Sequence, residues 1–232
     1  MNRWFLMLCA LFVSLTIIVS CKQLFTTSLG SGLARNSIVV SDNASISDLL
    51  SLAQSSTGTD SEGAKALLKA LGKKSQADIS SLSVADQTSI LNLATTATVD
   101  MSTLNSLISD ASKPGANTDK IISDSFDSTA DLTAIETILG NTETVKTAPV
   151  DTITLATAVV LADVTSDIGS DKMATIMSQD NPDLSAYTAE QQKKIKLVTG
   201  VVDVLGTRPA AETDGVMMGD FKLSDVLKGK KK

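Results

Sequence analysis

The chain has 232 residues, of which 43% are hydrophobic and 3% aromatic, and it carries a formal net charge of −6 with no histidine. That length supports one domain with a proper core, while an acidic, aromatic-poor composition argues against a nucleic-acid partner. Without histidine the commonest general base and metal ligand are missing, and with Cys9 and Cys21 as the only cysteines no CxxC redox pair, cysteine-rich zinc or iron–sulfur set, or Cys–His nucleophile can be assembled.

Arg3 supplies a short basic start, and Trp4 to Val19 an apolar run of 16 residues. As a helix this run reaches about 24 Å, short of the roughly 30 Å hydrocarbon core of a bilayer, so it reads as the apolar part of an export signal. Ile18, Val19 and Ser20 then precede Cys21. The stretch "IVSC" resembles the lipobox of bacterial lipoproteins, in which a dedicated signal peptidase cuts before a cysteine already carrying a diacylglyceryl thioether. The resemblance covers only the leader. It implies that Ile18, Val19 and Ser20 are the peptidase recognition tripeptide and that Cys21 is the lipidated amino terminus of the mature chain. An uncleaved anchor, or an ordinary secretory signal with an incidental cysteine, would share the apolar run. On the lipoprotein reading Cys21 is a membrane tether, because each buried CH₂ contributes about 0.8 kcal/mol and two or three acyl chains make lasting an attachment that one leaves marginal. Lys22 stands where some enteric lipoproteins have the Asp that resembles an inner-membrane retention signal, which points to the outer membrane or cell surface.

Residues 21–44, with Gly30 and Gly32 among Ser, Thr and Asn, read as a flexible tether; the alternative is that "SIVV" forms a short strand or packs on the domain. From Ser45 the pattern is that of short capped helices. Ile46, Leu49, Leu50 and Ala53 have helical spacing. Thr59 with Glu62 has capping-box spacing before Ala64, Leu67, Leu68 and Leu71, with Gly72 as the stop. Ser83 precedes Ala85, Ile90, Leu93 and Ala94, and Asp100 precedes Met101, Leu104, Leu107 and Ile108, ending at Lys113-Pro114-Gly115. Ser128 or Thr129 is expected to open a helix through Leu132, Ile135, Ile138 and Leu139 to Gly140. After Pro149 the segment through Val164 is apolar almost all round, and its length favours a central buried helix over a strand. Ser170 opens a helix with Met173, Ile176 and Met177, and Thr188 with Gln191 caps one bearing Ile195, Val198, Val202 and Leu205. No alternating run is flanked by hairpin signals. The expected class is all-α, about eight short helices in one domain over 45–227, with a basic tail at 228–232.

An internal echo adds the prospect of two related helical halves. "DISSLSVADQTSILNLA" (78–94) aligns without gaps on "DLSAYTAEQQKKIKLVT" (183–199), so Gln87 and Ile90 meet Gln192 and Ile195, and Ser83 meets the capping Thr188. Upstream, "SEGAKALL" (61–68) resembles "SDKMATIM" (170–177). Duplication and coincidence among Ser-, Ala- and Leu-rich helices both accommodate the match. Ile90 and Ile195 would be core residues, and Ser89 and Lys194 exposed ones.

The search for chemistry returns little. No Ser-x-x-Lys occurs, Gly30-Ser31-Gly32 is a linker, and the Asp180–Glu190 stretch lacks the ligand alternation of a calcium loop. Asp163 and Asp167, at i and i+4, could share a helix face and a proton, but read better as exposed solubilising charge. "DGVMMGDF" (214–221) suggests a strand or turn folding back on the core, and "KGKKK" at the end either a solubilising tail or a contact with anionic lipid. No catalytic, cofactor or metal residues are assigned, so the chain reads as a non-enzyme. The expectation is an envelope lipoprotein, held in the membrane through acyl chains on Cys21, whose helical domain binds a protein partner or small ligand, or else serves as a structural or surface-interaction lipoprotein with no pocket.

Overall fold

The computed structural model describes residues 40–41, 43–55, 61–98, 126–179 and 181–213, together with the short strands 217–218 and 221–222. Among these residues ten helices form: α1 (Ile46–Ser55), α2 (Ser61–Gly72), α3 (Gln76–Ser80), α4 (Val84–Thr98), α5 (Thr133–Leu139), α6 (Thr142–Thr147), α7 (Val150–Ile168), α8 (Ser170–Met177), α9 (Ala189–Leu205) and α10 (Ala210–Thr213). The fold is all-α. Its strand pairing among the described residues is a two-stranded antiparallel hairpin, β1 (Met217–Met218) with β2 (Phe221–Lys222), which begins within the "DGVMMGDF" stretch and ends one residue beyond it.

Local chemistry sets the helix starts. At α1, Ser45 Oγ accepts from the Asp48 amide at 3.2 Å while Asp48 Oδ2 accepts from the Ser45 amide at 3.3 Å, a reciprocal cap. Ser83 Oγ accepts from the Asp86 amide at the head of α4, and at α9 Thr188 and Gln191 form the full capping box that their spacing predicts. The α5 start differs from expectation, while α8 starts at Ser170 as expected, with Gly169 as its cap. α5 opens beyond Ser128 and Thr129, which lie in a turn, because Asp131 Oδ1 takes the Thr133 amide at 3.0 Å. α8 begins with a buried Ser170 following Gly169, whose φ of 90° and ψ of 147° lie in a region open essentially to glycine alone. Gly72 does more than end α2: a Cβ there would stand 2.6 Å from the Asp131 carboxylate, so its missing side chain leaves room for Asp131 just ahead of α5.

α7 is the axis of the core. Fifteen of its 19 residues are buried, among them Ile153, Val160, Leu161 and Val164, each contributing about 1.5–3 kcal/mol of transfer free energy. The two helices of the sequence echo, α4 and α9, pack on the same three helices, α5, α6 and α7. Ile90 and Ile195 are both fully buried, as are Leu93 and Val198 nearly so. Ahead of them Ala64, Leu67 and Leu68 of α2 are buried like Met173, Ile176 and Met177 of α8. The outer layer breaks the likeness: α2 lies along α4, whereas α8 packs on α7. Val40 and Ala44, at the end of the stretch read as a tether, pack against the same core. The expected helix at 100–108, its stop at Lys113-Pro114-Gly115, the Thr59 cap and the 228–232 tail lie outside the described residues.

Candidate functional site

Polar side chains gather at three helix junctions. The first joins α5, α7 and α9. Asp163 projects from the middle of apolar α7 and accepts from Lys194 Nζ at 2.6 Å. Lys194 also pairs with Glu190 one turn earlier on α9, at 3.0 Å, and stands 3.9 Å from Glu136 of α5. Glu136, itself buried, accepts from Lys193 at 2.7 Å. Lys194 and Asp163 side chains are only 11% and 13% exposed, so both charges lie where an unpaired ion would be costly. Burial works against the Lys194 charge, but hydrogen bonds to Asp163 and Glu190 and the nearby carboxylates outweigh it and hold the ammonium above the usual lysine range. A lysine so held has no free electron pair at neutral pH for nucleophilic or general-base work. The chemistry available here is charge pairing between helices.

The second junction joins α3, α4 and α6 through Gln87, which is almost fully buried. Its Nε2 lies within 3.1–3.3 Å of the Ile79, Ser80 and Leu82 carbonyls, and its Oε1 accepts from the Thr144 hydroxyl of α6. The echo recurs here as geometry. Gln192 Nε2 donates to the Tyr187 carbonyl at 2.9 Å, and Tyr187 occupies in the second segment the place that Leu82 has in the first. Each glutamine thus closes the turn in front of its own cap.

At the third, Arg208 beyond α9 donates through Nη1 to the Val145 and Ala148 carbonyls at the end of α6, while Nε and Nη2 hold Glu212. These contacts satisfy carbonyls that the helix end leaves open. At the rim, hydrogen bonds from Lys65 and then Thr129 pull the Asp127 carboxyl down to about 2.

Two sequence expectations are corrected by this geometry. Asp163 is not solubilising surface charge; it is buried against Lys194, while Asp167, one turn on, is exposed and takes no part in the cluster. Lys194 is buried, not exposed. The signal that could have found the pair is an acid on the buried face of a mostly apolar helix, which demands a cation from elsewhere in the fold. Among the described residues no group of three or more His, Cys, Asp or Glu could hold a metal ion, and no helix is long and apolar enough to cross a membrane. Ile18, Val19, Ser20 and Cys21 lie outside the described residues.

No protein-family model, curated protein or solved structure matches the chain.

Proposed function

We propose that this chain is a lipoprotein of a bacterial cell envelope, tethered by acyl chains on Cys21 at the outer membrane or its periplasmic face, with a non-catalytic helical domain that binds a protein partner or small ligand. One observation carries the proposal: a basic start and an apolar run too short to span end on Ile18-Val19-Ser20-Cys21. The missing histidine and the protonated, fully engaged Lys194 support a non-catalytic role. A second reading, a structural lipoprotein without a pocket, draws support from Gln87, Asp163, Lys194 and Arg208, all of which spend their hydrogen bonds on the fold's own atoms.

Cell fractionation of the full chain and of Cys21→Ser tests the tether. The wild-type chain should enter the detergent phase as a shortened, acylated species, and the variant should be neither shortened before residue 21 nor acylated. Identical processing and partitioning of the two would remove Cys21 from its role. In-cell crosslinking of the wild-type chain then separates the two readings of the domain: one recurrent adduct favours a partner, and none favours a structural role.

A further inference from the structure

The apolar face of α9 is built of Ile195, Val198, Val201 and Leu205, all buried. These side chains resemble one another in size and shape, and the buried positions of α7 opposite them are aliphatic, alanine or threonine, with Asp163 the one buried charge on that helix. Packing of this kind scarcely distinguishes one axial placement of α9 from another displaced by a helical turn, about 5.4 Å. Lys194 does distinguish them. Its neighbours one turn away are Glu190 and Val198. Sliding α9 in one direction brings Glu190 to Asp163 and Glu136, setting carboxylates against carboxylates. Sliding it in the other brings Val198 there and leaves two buried carboxylates with no cation. Both alternatives are penalised, and the observed register is the one that matches charges. Lys193, next to Lys194 on α9, holds the same Glu136 and acts in the same sense, while the tie at Arg208 lies on the turn beyond the helix.

We infer that the Lys194–Asp163 contact, flanked by Glu136, is a register pin that selects one axial position of α9 on α7 and α5 from a set that apolar packing leaves nearly equivalent. A buried polar group that fixes register at some expense of stability is the best attested use of such groups. The corresponding position of the first echo segment is Ser89, whose hydroxyl donates to the Ala85 carbonyl of its own helix, and α4 packs against α1 and α2 as well.

Methyl-labelled NMR of the full chain in detergent micelles tests the inference. The wild-type chain should give one set of signals from Ile195, Val198, Val201 and Leu205. The double variant Lys194→Met/Asp163→Leu, with the charges replaced by apolar groups of similar bulk, should remain folded with a melting temperature no lower than wild type, yet show doubled or broadened signals from those same methyls. A single sharp set in that variant would overturn the pin. Should it fail to fold, the milder Lys194→Met/Asp163→Asn decides by the same signals. Failure of both to fold also overturns the inference, since the charges would then hold the helix in place rather than choose its position.

Discussion

Lys194 Nζ lies 2.6 Å from Asp163 Oδ2, across 31 residues of sequence and between α9 and the buried α7. Removing only the lysine strands Asp163 in the interior and leaves Glu136 to Lys193 alone. Lys194→Ala should therefore lower unfolding free energy by about 3–5 kcal/mol in denaturant titration, while Ser89→Ala, at the corresponding place in α4, stays within about 0.5 kcal/mol. The folded-state pKa of Lys194 is raised, so its contribution is complete at neutral pH and is lost as pH climbs beyond the ordinary lysine range. The variant should lack that alkaline loss. A silent Lys194→Ala would contradict the burial of the pair.

Ile90 and Ile195 should respond alike. Both are completely buried at equivalent places, so truncating either to Ala should cost about 2–5 kcal/mol, with the spread set by how far each site collapses. Ser83→Ala and Thr188→Ala remove caps and should cost about 1 kcal/mol each. Tolerance at one isoleucine alone, read from melting curves, would show that the sequence echo carries no common packing.

Acid should reveal Asp127. Its carboxyl is held at about 2, below its unfolded value, so its contribution is present above about pH 4 and fades as pH falls toward 2. The side chain is 37% exposed, which limits the effect to under about 1 kcal/mol at moderate salt. Asp127→Asn should flatten this part of the stability profile, and an unchanged profile would show that the Lys65 contact contributes nothing in solution.

Two glycines should answer the same substitution with opposite signs. Gly169 has a φ of 90° with open space around it, so Gly169→Ala meets no neighbour but forces a strained backbone, costing about 1–3 kcal/mol. Gly200, inside α9, also has nothing within 4 Å of a built Cβ, and there Ala should stabilise by about 0.5–1 kcal/mol. Thermal unfolding of the two variants should move in opposite directions from wild type.

What the sequence made legible was local. The Thr188–Gln191 box, the Ser83 cap and the buried run of α7 each depend on residues within one or two turns, and spacing alone reveals them. α3 and α6, of 5 and 6 residues, are too short to show a period, and Asn141 and Ser75 cap them without an apolar repeat to draw notice. The Gln87 and Gln192 turn closures were visible only as matched letters until their carbonyl partners appeared. Asp163 and Lys194 were misplaced on the surface for a physical reason: charge on a helix is usually solvated, and the contact that buries this pair comes from tertiary packing. Gly72 reads from sequence only as a stop; its close approach to Asp131, in the segment ahead of α5, is a tertiary contact that spacing does not show.

The lipid tether is the claim on which the functional account rests, and intact-mass analysis of the full protein extracted from membranes tests it most directly. The account predicts a chain that begins at Cys21 and carries the mass of a diacylglyceryl group, with or without a further amide-linked acyl chain. A chain that begins at Met1 or at any residue other than 21, or an unmodified Cys21, would contradict it.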